Sequence, residues 1–150
     1  MDDLRELYQE MILDHYKKPR NFHRLDGANR RAEGYNPLCG DKVTVYVLVD
    51  GDVIKDISFE GSGCAICTAS TSVMTEALKG KTVQEASALF GEFRELVTGA
   101  IDGRDKIESM GKLAIFAGVR QYPIRIKCAT LAWHTFEAAL TNTDEMVTTE

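Results

Sequence analysis

The chain has 150 residues, 44% of them apolar and 27% charged, with a formal net charge of −5. This size and balance give one soluble domain, 1–150, with a real core, and an acidic surface argues against nucleic acid, whose phosphates need basic partners. No apolar run is long enough to span a bilayer, and the start Met1-Asp2-Asp3-Leu4 lacks the basic-then-apolar pattern of a signal peptide, so the expected location is cytoplasmic.

Leu4, Leu7, Tyr8, Met11, Ile12 and His15 fall on one helical face. Asp3 and Glu6 resemble a capping box with Asp3 as the N-cap, and Pro19 stops the helix. His15 belongs to the packed face rather than to a metal site, because nothing beside it completes one. Residues 20–35 read as a loop that enters an edge strand near Arg31–Tyr35, with His23 solvated in the loop. Val43, Val45, Val47 and Val49 then alternate with Thr44, Tyr46 and Leu48, the period of a strand. Asp50-Gly51 is a hairpin turn. The next strand, Val53 to Phe59, puts Val53, Ile57 and Phe59 on one face. Cys64 to Lys79 reads as a helix that ends at Gly80, with small residues along its first half. Thr82 and Glu85 form a capping box for a helix carrying Val83, Ala86, Leu89, Phe90, Phe93 and Val97. Gly99 to Asp105 is a break, and Gly111 to Val119 a short apolar helix. Pro123 opens the last helix, with Ile124, Cys128, Leu131, Ala132, Thr135 and Ala139 on one face. Residues 142–150 are polar and expected to fray. The pattern is α+β: a small antiparallel sheet of about three strands with helices packed on one side.

In a reducing compartment the four cysteines point to metal binding or thiol chemistry rather than to two disulfides. Asn36-Pro37-Leu38-Cys39-Gly40-Asp41 is a tight turn carrying a thiol and a carboxylate. Cys39-Gly40-Asp41 opens the hairpin and Gly61-Ser62-Gly63-Cys64 closes it, and the outer ends of two antiparallel strands are adjacent. Cys128, in the first turn of the last helix, can join them. We read Cys39, Asp41, Cys64 and Cys128 as converging on one metal ion, and three thiolates with one carboxylate suit tetrahedral zinc. Four anionic ligands leave the site about −2 around a divalent ion. Arg125 and Lys127 either offset that charge or stand as a solvated helix end. Cys64-Ala65-Ile66-Cys67 is also a C-x-x-C, open to a thioredoxin-like redox reading. We favour Cys67 as a buried small hydrophobe. His134 reads as surface or partner-facing, and Trp133 as a packing aromatic or a partner anchor.

Four ordered motifs resemble those of U-type iron–sulfur assembly proteins, over nearly the whole chain. They are Asp14-His15-Tyr16 through Pro19-Arg20-Asn21, Tyr35 to Asp41, Phe59 to Ile66, and Arg125 to Trp133. The resemblance implies the same four ligands and two possible roles. In a SufU-like role, the protein is a zinc-dependent sulfurtransferase that accepts persulfide sulfur from a pyridoxal-phosphate-dependent (SufS-like) cysteine desulfurase and serves a downstream iron–sulfur scaffold. In an IscU-like role it is itself a scaffold that builds and hands on a [2Fe–2S] cluster. A third reading is a structural zinc domain without transfer chemistry. Three features set the chain nearer the SufU-like branch. Lys127 stands where the scaffold branch has a histidine, an extra segment falls around Gly91 to Asp105, and a Leu-Pro-Pro-Val-Lys motif is absent. Cys39 is the expected sulfur acceptor. It sits in a loop between Pro37 and Gly40, where local opening costs least, and the resemblance points to the same residue.

Overall fold

The computed structural model describes residues 2–99, 110–141 and 147–148. The valine alternation forms β2 (Asp41–Asp50), in the interior of the sheet. It pairs antiparallel with β1 (Arg30–Asn36) on one side and β3 (Val53–Ser62) on the other. Val43, Val45 and Val47 face the core and are buried. Gly51 turns the β2–β3 hairpin at φ +66°, a conformation that favours glycine.

Among the described residues the sheet has a fourth, two-residue strand, β4 (Val147–Thr148), parallel to β1. The expected edge strand at Arg31–Tyr35 therefore lies inside the sheet. Part of the tail expected to fray pairs with it, because β1 offers an unpaired row of backbone groups. The second hairpin strand also differs from expectation. Val49 pairs with Ile54 and Leu48 with Asp56, so Lys55 is an extra residue in the ladder. This bulge exchanges faces: Ile54, Ile57 and Phe59 are buried, whereas Val53 is exposed.

Among the described residues the α-helices are α1 (Asp2–Lys17), α2 (Ala65–Leu78), α3 (Val83–Thr98) and α4 (Pro123–Leu140). The short apolar segment before α4 is a 3₁₀ helix, Gly111–Gln121, rather than an α-helix. The predicted Thr82–Glu85 capping box is present on α3, with N–H···O bonds of 3.0 Å in both directions. Gly91 lies within α3, and residues 100–105 of the expected break and extra segment fall outside the described residues. Helix α1 begins at Asp2, so Asp3 lies inside its first turn and is not the expected N-cap.

Helix α4 contacts β1, β2, α2, α3 and the 3₁₀ helix. Cys128 to Trp133, Thr135, Phe136 and Ala139 are all buried, so apolar residues surround this helix instead of forming one stripe. Ile124, expected on its packed face, is exposed because the first turn projects beyond the layer it packs on. Gly34 of β1 lets α4 approach closely, since a Cβ there would run into Thr135 Oγ1. Trp133 is fully buried and stacks on Phe93 and Phe90, with centroids 5.0 and 5.6 Å away, so it is a packing aromatic and not an exposed anchor. His134 is half-buried with its ring edge-on to Phe90 at 5.1 Å, which corrects its expected place on the open surface.

Helix α1 packs on α2. His15 is buried, as predicted, with Nδ1 2.7 Å from Ser72 Oγ and Nε2 3.7 Å from Glu76. Tyr8, Met11 and Ile12 pack against the core, while Leu7 of the same expected face is exposed. His23 is exposed, as expected.

Candidate metal centre

The β1–β2 connection is built around Asn36. Its carbonyl accepts the N–H groups of Cys39 (3.3 Å) and Gly40 (2.9 Å), and its side-chain Oδ1 accepts the Leu38 N–H at 3.2 Å. An Asn side chain that bonds its own backbone two residues on fixes a turn. Gly40, at φ +72°, supplies the left-handed step that returns the chain to β2. Cys39 is thereby presented at an exposed tip, beside the exposed Leu38.

Asp41 is the first residue of β2 and is fully buried. Its Oδ1 accepts the Cys64 N–H at 2.8 Å, and its Oδ2 lies 3.4 Å from Asn36 Nδ2 and 3.9 Å from Cys64 Sγ. The backbone of the opposite loop makes room for it. A Cβ on Gly63 would stand 2.5 Å from Oδ1 and 3.1 Å from the Cβ of Asp41. The pairing of Lys42 with Ser62 and Val43 with Gly61 brings these two chain segments together, as the hairpin argument predicts.

Cys64 is the N-cap of α2, its sulfur accepting the Cys67 N–H at 3.4 Å. Cys128, buried in α4, lies with its Sγ 3.3 Å from that of Cys39 and 3.5 Å from Asn36 Nδ2. Ligand atoms of Cys39, Asp41 and Cys128 lie within 4.8 Å of one another. The structure thus groups three of the four predicted ligands, and holds Cys64 against the Asp41 side of the group. A tetrahedral zinc site with metal–ligand bonds of about 2.0–2.3 Å needs ligand atoms roughly 3.3–3.8 Å apart. The Cys39–Cys128 and Cys64–Asp41 separations fall at or beside that range. Thiols with a buried carboxylate are donors of the type that zinc takes, with Cys39, Asp41 and Cys128 in one close group and Cys64 beside Asp41.

The thiols differ electrostatically. The Cys64 thiol is held down to about 7, first by the hydrogen bond it receives from Cys128 and then by amides at the start of α2. Cys128 is pushed up, because its thiol is the donor to Cys64 and because it is buried. Burial pushes the Cys67 thiol up as well, and its side chain is only 3% exposed, in keeping with a buried small hydrophobe. The α2 cap follows an antiparallel hairpin, unlike the parallel βαβ setting of thioredoxin-like pairs. The Arg125 guanidinium stacks on Tyr122, 4.4 Å from the ring centroid, and Lys127 is half-buried.

Asn36 is the site residue that sequence reasoning did not single out. It touches Asp41 and Cys128 at once, and its only sequence signal is an Asn at the start of a turn that contains a ligand.

Residues 7–129 match the family described as NifU-like N terminal domain. A Streptococcus pyogenes serotype M1 protein named iron–sulfur cluster assembly scaffold protein IscU is 41% identical over 140 residues, 93% of this chain and 86% of that one. The zinc-dependent sulfurtransferase SufU of Bacillus subtilis strain 168 is 40% identical over 135 residues, 90% of each chain. A solved structure of a candidate iron–sulfur cluster assembly scaffold for the SUF system, from Fervidobacterium islandicum AW-1, superposes with a TM-score of 0.80 at 42% identity, covering 87% of this chain and 94% of that one.

Proposed function

This chain belongs to the NifU-like N-terminal domain family, and we propose that within it the protein is a zinc-dependent sulfur acceptor for iron–sulfur cluster assembly. It takes persulfide sulfur from a pyridoxal-phosphate-dependent cysteine desulfurase and passes it to a downstream iron–sulfur scaffold. Cys39, Asp41, Cys64 and Cys128 would hold the zinc. The observation that carries this reading is the unequal placement of two sulfurs 3.3 Å apart: Cys39 on an exposed loop tip, Cys128 buried in α4. One thiol can reach a partner while the others stay put. Lys127, in the position where the scaffold branch has a histidine, favours the same branch.

Zinc, when bound, supplies a divalent charge that keeps the thiols ionised at neutral pH. The chain's own residues do the rest. The Cys39 sulfur attacks the terminal sulfur of the desulfurase persulfide. A new S–S bond forms on Cys39, the partner's S–S bond breaks, and its electron pair leaves on the partner's cysteine thiolate. Asn36 orients Asp41 and Cys128, and the Cys64 N–H fixes the carboxylate, so the buried half of the site keeps its shape while the loop opens.

The test is peptide mass spectrometry after reaction of the zinc-loaded protein with desulfurase and cysteine. Trypsin leaves Cys39 in peptide 32–42, Cys64 and Cys67 in 56–79, and Cys128 in 128–150. The expected result is one added sulfur on 32–42, and loss of desulfurase stimulation in Cys39→Ser. Persulfide found only on 128–150, with Cys39→Ser still active, overturns the assignment. The scaffold reading has its own support in the name of the Streptococcus pyogenes relative. Metal analysis of protein purified without oxygen separates the two: colourless protein with zinc for transfer, brown protein with iron and sulfide for a [2Fe–2S] scaffold.

A further inference from the structure

Cys67 is the one cysteine that the proposed site does not use, and it stands three residues from one that it does. Cys64 lies at the cap of α2 with extended backbone angles, φ −70° and ψ 166°, and its side chain bends over the first turn to accept the Cys67 N–H at 3.4 Å. It is also the ligand held outside the close group formed by Cys39, Asp41 and Cys128. Cys64 therefore has two directions open to it: toward Asp41 Oδ2, 3.9 Å away, or toward the residue one turn along its own helix. We infer that Cys64 and Cys67 form a reversible disulfide under hydroperoxides, withdrawing Cys64 from the metal centre.

Side chains three apart on a helix have Cβ atoms about 5–6 Å apart, and a disulfide needs about 3.5–4.5 Å. The pair must draw together by about 1–2 Å. A cap residue, only half inside the helix, can make that movement without breaking an internal turn.

Access decides which sulfur reacts first. Cys67 is 3% exposed, whereas Cys64 is partly open to solvent. The Cys64 thiolate attacks the hydroperoxide, the O–O bond breaks, and Cys64 becomes a sulfenic acid as water (from hydrogen peroxide) or an alcohol (from an organic hydroperoxide) leaves with a proton from solvent. The Cys67 sulfur then displaces the sulfenic oxygen, which leaves as water with the Cys67 proton. Two electrons pass from the sulfur pair to the peroxide, and thiol reductants reverse the bond. The Cys39–Cys128 pair, at 3.3 Å, is the rival cross-link. This part rests on the proposed ligand set: with metal bound, Cys39 and Cys128 are engaged and Cys67 is the free thiol nearest the sulfenic acid.

The test uses zinc-loaded protein whose metal content is measured first, so a failure to bind zinc is seen separately from a failure to oxidise. After about one equivalent of hydrogen peroxide, the protein is unfolded in N-ethylmaleimide and digested without reductant. The expected product is peptide 56–79 lighter by two hydrogens and unalkylated, with 32–42 and 128–150 still alkylated and zinc released. Dithiothreitol should restore two alkylations on 56–79. In Cys67→Ser the peptide should keep its hydrogens, and the Cys64 sulfenic acid should be trapped by dimedone. Cys67→Ala serves if the serine variant melts differently. A cross-link between 32–42 and 128–150 as the main product, or full alkylation of 56–79 while the other cysteines oxidise, overturns the inference.

Discussion

Asn36 and Asp41 are register partners at the mouth of the β1–β2 hairpin, and the side-chain amide of the first lies 3.4 Å from the carboxylate of the second. The same amide nitrogen is 3.5 Å from Cys128 Sγ. One donor thus holds two proposed ligands, one 5 residues further along the chain and the other 92. Asn36→Ala removes that donor and the acceptor that fixes Leu38. Loss of such an outer contact costs about 10–100-fold in metal affinity. A chelator competition titration should read a loss in that range. Unchanged affinity would remove Asn36 from the site.

Gly63→Ala should damage the centre without touching a ligand. The new methyl meets Asp41 Oδ1 at 2.5 Å and the Asp41 Cβ at 3.1 Å, and both sides of the contact are tied to strand ends. Overpacking of this kind costs about 1–3 kcal/mol. Urea unfolding should show that loss, together with weaker zinc binding. Wild-type stability in both the loaded and metal-free protein would mean that the loops separate more easily than their pairing indicates.

Zinc removal and Asp41→Ala test the ligand set together. Chelation should lower the melting temperature, and added zinc should restore it, because the thiols and the buried carboxylate lose their common cation. Asp41→Ala should leave three sulfurs with an open position and a more exchangeable ion. The variant's metal-free form should lose less stability relative to wild type than its loaded form does, since a buried carboxylate is costly when no cation is near. An Asp41→Ala protein with wild-type zinc affinity in a competition titration would eliminate Asp41 as a ligand.

A pH dependence follows from His15, buried against Ser72 of α2. Burial holds its imidazole below the ordinary value of 6.5, aided by Arg20 and Lys112 and opposed by Glu76 and Asp14. A folded-state value below the unfolded one means that the unfolded chain binds the proton more readily. The contribution is fully present above pH 6.5 and is lost as pH falls below it toward the depressed folded value. His15→Gln keeps a polar partner for Ser72 and cannot titrate. The stability difference between the two proteins should be flat above pH 7 and shift in the variant's favour between about pH 6 and 5. A difference that stays constant across the range would show that His15 does not change its protonation on unfolding.

Much of the fold was legible because its signals are local. The alternation of Val43, Val45 and Val47, the Asp50-Gly51 turn and the Thr82–Glu85 cap need only neighbouring residues to be read. The approach of Asp41 to Cys64 was legible for a related reason, since the β2–β3 pairing alone brings them together. What the sequence hid depends on contacts between distant segments. The extra residue at Lys55 reversed the face assigned to Val53 because a bulge leaves no periodic trace at its own position. Helix α4 has little amphipathic signal, being covered on all sides, so its exposed first turn at Ile124 looked like more of the same stripe. Asn36 escaped notice because its bond to Cys128 exists only after α4 docks.

That docking has a consequence for how the protein is made. Cys39 and Cys128 are 89 residues apart, and their sulfurs meet only once α4 has docked. A chain still on the ribosome can pair β2 with β3 and bring Asp41 to Cys64, but its second buried sulfur has yet to arrive. Domains fold as units once their sequence has emerged, so the candidate metal centre is completed only after α4 has emerged and docked. Loading of an ion would therefore follow the docking of α4 onto the hairpin, and the hairpin alone, which brings only Asp41 to Cys64, would not retain one.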